Sequence, residues 1–303
     1  MIKIALGFCI KNNSESLPLI LKNIERLNNV KEFEITTIFV GDMDNKDDSF
    51  EILENFKKIS RCKRIIIDKI VNNDRLRTVR IAKARNRILE YIYSENLGAD
   101  AITDGEKNSI YDYHCMIDGD GANEKEWNIE ILKDAIISRS IDKDDWDSLS
   151  FNRRGKWSLA GHHSSGYYDI WALSIEEYVW HSWGYGNKSR EIICKLQSYL
   201  VDLLEKSETE TIYCNSAFNG FAIYRTSQFK CIKYDGNENN YLDLFNINDI
   251  TNSVYWINKK LNITNIKPTR SVFINECCEH LYYHRIAKMR GCKIKISKKY
   301  LLI

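Results

Sequence analysis

Two aspartates with a single glycine between them carry the clearest chemical signal in the sequence. Asp118, Gly119 and Asp120 directly follow the apolar run Cys115-Met116-Ile117. Two carboxylates at this spacing can both reach one hard cation, and the glycine lets a large polyphosphate lie close to the main chain. We therefore predict that Asp118 and Asp120 bind Mg²⁺ or Mn²⁺, which would keep coordination positions open for diphosphate oxygens.

Two other interpretations of this motif can be weighed. A calcium-binding EF-hand loop is excluded, because Ala122 stands at the fifth loop position, Asn123 replaces the required glycine and Ile129 replaces the glutamate of the twelfth position. An ordinary turn after a strand stays open, since Asp and Gly are common turn residues. The position after an apolar strand favours the metal site.

Three further carboxylates are candidates for catalysis: Asp169, Glu276 and Glu279. A carboxylate within reach of an acceptor hydroxyl can act as a general base and remove its proton. We predict Glu279 first and Asp169 second for this role, with Glu276 as the third candidate. Each could equally be a structural hydrogen-bond partner, and no spacing distinguishes them.

Glu276, His280 and His284 follow one another at intervals of four residues in a predicted helix and would lie near one face of it. The two histidines are candidates for a third metal ligand. A structural role in the core is the alternative for both. The adjacent pair Cys277-Cys278 would also suit zinc, but the chain has no second cysteine pair at the spacing typical of zinc sites.

Residues 77–87 form a predicted basic helix. Its cations are Arg77, Arg80, Lys83, Arg85 and Arg87. A solvated basic face is the common explanation for such a run. However, Ala82 and Ala84 would let the helix pack closely on a sheet and bring Arg85 beside the aspartates. We predict that Arg85 and Arg80 bind a diphosphate there.

The first 125 residues alternate between apolar strand patterns and amphipathic helix patterns. The predicted strands lie at 2–10, 33–40, 64–70 and before Asp118, the predicted helices at 14–27, 49–59 and 78–93, and a polar loop at 98–108. This alternation is typical of βαβ units, and so of an α/β fold with a Rossmann-like, mostly parallel sheet and flanking helices. Ligands of such sheets bind beyond the carboxyl ends of the strands, where the polar segments 11–13, 42–44 and 118–120 would converge.

The second half of the chain is less regular. We predict helices at 127–139, 188–205 and 275–289, strands at 148–152 and 219–224, a long loop with short elements at 234–264, and an edge strand or tail at 293–303. Six of the seven tryptophans lie between Trp127 and Trp183, a concentration that favours stacking on sugar rings. The alternative is that these rings only fill space in a loop-rich region.

The composition limits the class and the location of the protein. A formal net charge of +2 on 303 residues predicts no nucleic-acid partner, and no run approaches the roughly 20 apolar residues that span a bilayer. Nine cysteines, an odd number scattered among apolar neighbours, suit reduced thiols. Residues 1–10 fit a core strand better than a signal peptide, whose apolar region would be longer. We therefore expect a cytoplasmic protein.

Six segments in chain order carry a family resemblance. They are FCIKN at 8–12, RIAKARN at 80–86, CMIDGD at 115–120, GYYDIWAL at 166–173, CNSAFNGFAIY at 214–224 and ECCEH at 276–280. Together they resemble GT-A glycosyltransferases, in particular the fungal capsule-associated α-1,3-mannosyltransferases and related bacterial and large-virus enzymes. The resemblance implies a GT-A-like fold, a nucleotide-sugar donor and a divalent cation at the two aspartates. It also implies nucleotide contacts from Asn12, Asp44 and Arg85.

The same resemblance implies one domain with two functional halves. Residues 1–125 would bind the nucleotide-sugar, and residues 126–303 would bind the acceptor through the segment 165–224 and the helix 276–284. The chain lacks the membrane anchor of the fungal enzymes, and its aromatic segment up to Trp183 does not follow their pattern. The donor sugar, the linkage and the stereochemistry therefore stay open. A viral source would place the protein in the host cytoplasm or in the virion.

The sequence thus predicts a metal-dependent hexosyltransferase. It would move a sugar from a UDP- or GDP-sugar to a glycan, a glycoprotein or another hydroxyl acceptor, with no integral membrane segment. A nucleotidyltransferase or another nucleotide-sugar-processing enzyme is the first alternative, although the segment KNNS at 11–14 is not a glycine-rich phosphate loop. A non-catalytic carbohydrate-binding protein is the second.

Overall fold

The computed structural model describes residues 1–94, 110–138, 146–159, 162–269 and 275–303. The predicted polar loop at 98–108 and the last residue of the predicted helix 127–139 lie outside these ranges. The strands are β1 (Ile2–Ile10), β2 (Phe33–Asp42), β3 (Arg64–Ile70), β4 (Tyr113–Asp118), β5 (Ser148–Asn152), β6 (Arg154–Leu159), β7 (His162–Tyr167), β8 (Thr211–Cys214), β9 (Phe221–Arg225) and β10 (Ile294–Tyr300). The α-helices are α1 (Leu17–Asn28), α2 (Ser49–Ile59), α3 (Arg77–Ser94), α4 (Ile129–Lys133), α5 (Ser189–Lys206), α6 (Glu238–Leu242), α7 (Ile247–Leu261) and α8 (Glu279–Met289).

Eight of these strands form one sheet in the order β3-β2-β1-β4-β9-β5-β10-β8. The first four run parallel, β9 lies antiparallel between β4 and β5, and β10 runs parallel to β5. β8 pairs antiparallel with β10 at the edge. Since only β8 and β9 oppose the other strands, the predicted α/β class with a mostly parallel sheet and flanking helices is confirmed.

The N-terminal half follows the predicted strand–helix alternation because its apolar residues divide between the two faces of the sheet. In β1, Ile4 and Leu6 belong to a hydrophobic cluster that includes buried residues of α1 and α2. Ala5 belongs to a second cluster that includes α3. Gly7 lets α3 approach, since a Cβ at this position would lie 2.5 Å from Ile88 Cγ2. The predicted close packing of the basic helix on the sheet is therefore observed.

Two predictions for the C-terminal half are wrong. β10 is not an edge strand, because it pairs with β5 on one side and β8 on the other. The segment 234–264 is not a long loop, because it contains α6 and the fifteen-residue helix α7. The side chains of Asn246 and Asp249 cap α7 in a reciprocal capping box, and Trp256 and Leu261 bury its apolar side. The high asparagine content of this segment made the amphipathic pattern of α7 difficult to recognise in the sequence.

The helix predicted at 275–289 begins later than expected. Asn275 has a left-handed backbone with φ of 62°, and Glu276 pairs with Asn237 in an isolated β-bridge. α8 therefore starts only at Glu279. As a result Glu276 does not share a helix face with His280 and His284, contrary to prediction.

The tryptophans whose side chains the structure describes do not form one exposed sugar-binding cluster; the side chain of Trp157 lies outside that description. Trp127 and Trp146 are almost fully buried in the core cluster of β1 and β4, and Trp180 is buried in a third cluster with α5 and α7. Trp171 and Trp183 are partly buried against core clusters. For the three buried rings, core packing is the correct interpretation.

No helix in the described part of the chain has the length and apolar character needed to cross a membrane.

Candidate active site

The carboxyl ends of β1, β2 and β4 meet at a cleft of about 340 Å³. Its side chains come from these strand ends and from the start of α3, and they carry both signs of charge. The polar lining residues are Cys9, Lys11, Asn12, Asn13, Asp42, Asn72, Arg77, Arg80, Arg85, Asp118 and Asp120. The sequence therefore located this cleft correctly, at the predicted edge of the sheet.

The turn that presents the two aspartates is held by its neighbours. Asp118 ends β4, and its backbone N–H donates to the carbonyl of Gly220 at 2.9 Å. Ser16 Oγ donates to the carbonyl of Gly119 at 2.9 Å. A Cβ on Gly119 would lie 2.8 Å from the carbonyl oxygen of Cys9, so only glycine fits between β4 and β1 here.

The carboxylates of this turn suit a hard cation. Asp118 Oδ1 accepts a hydrogen bond from Arg85 at 3.1 Å, and Asp120 Oδ1 accepts one from the backbone N–H of Ala122 at 2.9 Å. Within the described ranges, Oδ2 of each aspartate is left for another ligand. No group of three His, Cys, Asp or Glu side chains that could hold a metal is found among the described residues. A cation at this turn would therefore take its remaining ligands from water and phosphate, as Mg²⁺ commonly does.

The electrostatic environment of Asp118 opposes its ionisation. The pKa of Asp118 is raised to about 7, chiefly by burial; Arg85 opposes this shift, and the charges of Asp120, Asp169 and Glu279 contribute to it. Negative charge is thus concentrated at this end of β4. A divalent cation would relieve the repulsion, which is the electrostatic signature expected of a metal-binding carboxylate pair.

Arg85 lies at the centre of the site with 2% of its surface exposed. Its Nε donates to Glu279 Oε1 at 2.9 Å, and its guanidinium carbon lies 4.6 Å from the ring centroid of Phe218. Its Nη1 is buried without a hydrogen-bond partner among the described residues. Because an arginine is always charged, this N–H group is suited to an anionic ligand at the cleft.

Asp169 and Glu279, the two leading candidates for a base, occupy different environments. Glu279 is tied to Arg85 and is only 4% exposed. Asp169 is partly exposed; its Oδ1 accepts from the backbone N–H of Ala172 at 3.2 Å, and its own N–H donates to Asn219 Oδ1 at 3.1 Å. Burial and the charge of Glu279 raise the pKa of Asp169 to about 6, while the Ala172 N–H acts in the opposite direction. Neither carboxylate is among the residues that line the cleft. The partial exposure and raised pKa of Asp169 favour it over Glu279 as the candidate base, and the role of each stays a prediction.

The predicted nucleotide contacts are only partly gathered at the cleft. Asn12 lines it, but its Oδ1 accepts from the backbone N–H of Lys46 at 2.7 Å. Arg80 also lines it and holds the loop before α3 by donating to the carbonyl of Asp74 at 2.7 Å. Asp44 is not among the lining residues; its exposed carboxylate binds Lys11 Nζ at 2.8 Å. Asp42, two residues earlier, takes its place in the cleft.

The two predicted histidine ligands are buried away from the cleft lining. Both ring nitrogens of His284 are engaged in the core, Nδ1 with Ser216 Oγ at 2.9 Å and Nε2 with Tyr224 Oη at 3.2 Å. His280 is 1% exposed, its ring stacks on Phe218 with centroids 3.7 Å apart, and its ring nitrogens have no hydrogen-bond partner among the described residues. This arrangement disagrees with the prediction that His280 and His284 are metal ligands, because the nitrogens of His284 are occupied and neither ring lines the cleft. Glu276 does not line the cleft either.

Several residues of the site were not singled out from the sequence. Asn72 and Arg77 line the cleft, and Asn219 positions Asp169 from the loop before β9. Asn72 follows β3 and Arg77 begins α3, so the rule that ligands bind beyond the carboxyl ends of strands could have found them. Asn219 carried no such signal, since its role depends on a left-handed backbone with φ of 59°.

Comparisons with known proteins give weak structural likenesses. No protein-family model matches the chain, and none of the curated proteins compared with it matches. Residues 1–349 of S. aureus TarS share 16% identity with a TM-score of 0.41, over 89% of this chain and 58% of that one. The same region in complex with UDP-GlcNAc gives 15% identity and a TM-score of 0.40, over 89% and 56%. Mannosyltransferase PcManGT from Pyrobaculum calidifontis, in complex with GDP-Man and Mn²⁺, gives 11% identity and a TM-score of 0.33, over 50% and 35%.

The chain spans less than two thirds of the length of each of these structures. At such TM-scores the likenesses do not assign the chain to a family, and the resemblance to fungal mannosyltransferases stays a prediction.

Proposed function

We propose that this protein is a metal-dependent glycosyltransferase of the GT-A type. The observation that carries the proposal is the presence, in one cleft, of the Asp118 and Asp120 carboxylates and of the buried Nη1 of Arg85, which has no hydrogen-bond partner in the described part of the chain. A nucleotide-sugar presents a diphosphate, which needs cations on its oxygens, next to a sugar carbon that is to be attacked. Carboxylates that hold a cation, beside an arginine that binds phosphate, meet both needs.

The donor would lie across the carboxyl ends of β1, β2 and β4. Arg85, Arg77 and Arg80 line this cleft and supply positive charge for the diphosphate of a UDP- or GDP-sugar. Asn12 and Asp42 lie at the ends of neighbouring strands, where they can contact the nucleoside. Of the predicted nucleotide contacts, we retain all but Asp44.

Asp118 and Asp120 would hold Mn²⁺ or Mg²⁺ through their Oδ2 atoms. When bound, the cation would neutralise charge on the departing nucleoside diphosphate. Arg85, which binds Oδ1 of Asp118, would stabilise the same charge. Because Arg85 is buried, this interaction would be stronger than it would be in water.

Asp169 would act as the general base if the reaction inverts the sugar. Its carboxylate would take the proton of the acceptor hydroxyl while that oxygen bonds to the anomeric carbon and the bond from this carbon to the diphosphate breaks. A base with a pKa of about 6 is ionised at neutral pH and still accepts a proton readily. In a retaining reaction the diphosphate itself would take the proton.

The acceptor would approach from the C-terminal half. Asp169 follows the β6–β7 hairpin and is anchored to the loop before β9, so residues 126–303 provide this side of the site and residues 1–125 the donor side. We expect a glycan, a glycoprotein or another hydroxyl acceptor. All nine cysteines are free thiols, which supports a reducing compartment such as the cytoplasm.

Nucleotide binding tests the proposal most directly. UDP or GDP should raise the thermal stability of the wild-type protein in the presence of Mn²⁺ and much less in its absence, because a ligand stabilises the fold by mass action. Asp120→Ala should lose this metal dependence. Asp202→Ala, which alters an exposed carboxylate paired with Lys206 on α5, is the matched control and should behave as wild type.

The alternative functions give different results in the same experiments. A carbohydrate-binding protein should show no nucleotide-dependent stabilisation with or without Mn²⁺. A nucleotidyltransferase should release pyrophosphate from a nucleoside triphosphate rather than UDP or GDP from a nucleotide-sugar. Donor turnover by Asp120→Ala at the wild-type rate would contradict the metal-dependent mechanism.

A further inference from the structure

Three charged side chains, Glu279, Arg85 and Asp118, form a continuous hydrogen-bonded chain from α8 to the end of β4. Glu279 Oε1 accepts from Arg85 Nε at 2.9 Å, and Arg85 Nη2 donates to Asp118 Oδ1 at 3.1 Å. The side chains of Glu279 and Arg85 are 6% and 3% exposed, whereas that of Asp118 is 28% exposed. Of the two carboxylates, Asp118 lines the cleft and Glu279 does not.

Arg85 has little freedom to move within this chain. The ring of Phe218 lies 4.6 Å from its guanidinium carbon, and the ring of Tyr234 lies 5.7 Å away. Tyr234 is itself fixed to α3, since its backbone N–H donates to Asn86 Oδ1 at 2.8 Å and its carbonyl accepts from Asn86 Nδ2 at 2.9 Å. The guanidinium is therefore held by two carboxylates and two rings.

The balance of charge in this chain bears on cation binding. Arg85 carries one positive charge between two carboxylates, so Glu279 offsets the arginine and Asp118 keeps its negative charge for the cleft. Without the Glu279 charge, a buried guanidinium would depend on Asp118 alone and would neutralise it. The arginine would then compete directly with a divalent cation.

We propose that Glu279 is a positioning residue that sets the cation affinity of Asp118 by holding and neutralising Arg85. Glu279 does not touch the substrate; it acts through Arg85, which keeps Oδ1 of Asp118 and leaves Oδ2 turned to the cleft. Hydrogen-bond partners behind metal ligands commonly change metal affinity by about 10–100-fold when they are removed. This inference rests on the proposed cation at Asp118 and Asp120.

Direct Mn²⁺ titration of the full chain tests the inference without any enzymatic reaction. Free Mn²⁺ is measured by its electron paramagnetic resonance signal, with no nucleotide present. Glu279→Gln should raise the Mn²⁺ dissociation constant about tenfold or more relative to wild type. The matched control is Glu90→Gln, which removes a carboxylate bound to the exposed Arg87 on the same helix α3 and should leave the Mn²⁺ affinity unchanged.

A second variant covers the case in which Glu279→Gln does not fold. Glu279→Asp keeps the charge but shortens the side chain, so it should weaken Mn²⁺ binding by a smaller factor than Gln. Wild-type Mn²⁺ affinity in the folded Glu279→Gln protein, or in Glu279→Asp if that protein alone folds, would overturn the inference and leave the proposed function standing. Absence of Mn²⁺ binding by the wild type would overturn both the inference and the metal-dependent part of the proposed function.

Discussion

Asn219 Oδ1 accepts a hydrogen bond from the backbone N–H of Asp169 at 3.1 Å, while its Nδ2 donates to the carbonyl of Phe151 at 2.7 Å. One side chain thus fixes the candidate base to the end of β5. Asn219 can do so because its backbone is left-handed, with φ of 59°, a conformation that asparagine tolerates better than most residues.

Asn219→Ala should lower kcat on the order of 10²-fold, because Asp169 loses the contact that positions it. Loss of two buried hydrogen bonds should also reduce the free energy of unfolding by about 1–3 kcal/mol. Asn219→Gly is the matched control for backbone strain. It should lose kcat as much as Ala but be more stable than Ala by about 1 kcal/mol, since glycine accepts the left-handed conformation. Urea unfolding and donor turnover measured on both proteins check these values.

Asp169→Asn should reduce the rate of sugar transfer by about 10²–10⁴-fold if Asp169 is the base. In the wild type, kcat/KM should fall as the pH drops below about 6, because the carboxylate that accepts the proton becomes protonated there. The variant should lack this acidic limb. Retention of the acidic limb by Asp169→Asn would show that Asp169 is not the base.

Gly119→Ala should disturb the aspartate turn, because its Cβ would lie 2.8 Å from the Cys9 carbonyl oxygen and 2.8 Å from Ile10 Cδ1. We expect a loss of about 1–3 kcal/mol of stability and weaker Mn²⁺ binding. Gly121→Ala is the control, since its Cβ would meet only the mobile end of the Glu124 side chain at 3.4 Å. Equal stability and equal Mn²⁺ affinity in the two variants would show that the close approach of β4 to β1 is not needed.

His114 should make the fold sensitive to acid. It is fully buried beside Tyr224, with ring centroids 4.9 Å apart, and burial lowers its pKa to about 3. In the unfolded chain the pKa of histidine is about 6.5, so the unfolded state gains a proton first as the pH falls. The contribution of His114 is therefore fully present above about pH 6.5 and decreases by about 1.4 kcal/mol per pH unit down to about pH 3.

His114→Phe keeps an aromatic ring at this position and removes the titratable group. Its free energy of unfolding should fall less steeply than that of the wild type between about pH 6.5 and about pH 5, whatever its stability at neutral pH. Urea unfolding at several pH values measures the slope. Identical slopes for the two proteins would mean that His114 is not buried in its neutral form.

Much of the N-terminal half could be predicted because local pattern and tertiary structure agree there. The strand at 2–10 and the helix at 49–59 match β1 and α2 to the residue, since their apolar spacing is also what the sheet buries. The same logic placed Asp118 at the end of a parallel strand. The position of Arg85 beside the aspartates could be predicted because the small residues Ala82 and Ala84 indicated which side of α3 packs on the sheet.

The remaining errors come from contacts that a local pattern cannot show. β10 is a short strand that mixes apolar residues with lysines, a pattern that fits an edge strand, and only its pairing with β8 makes it internal. The sequence does not show that Glu279 is bound to Arg85, because the two residues are 194 positions apart. The structural role of His284 could not be predicted for the same reason, because its two hydrogen-bond partners, Ser216 and Tyr224, are distant from it in sequence.

The insertion of β9 beside β4 also governs how the chain can be made. Met116 pairs with Ala222, so the central strand keeps one open edge until about a hundred further residues have left the ribosome. An unpaired edge of this kind is a template for pairing with other chains. The N-terminal half should therefore aggregate when expressed alone, and synthesis of the whole protein should benefit from chaperones that shield β4 until β9 arrives.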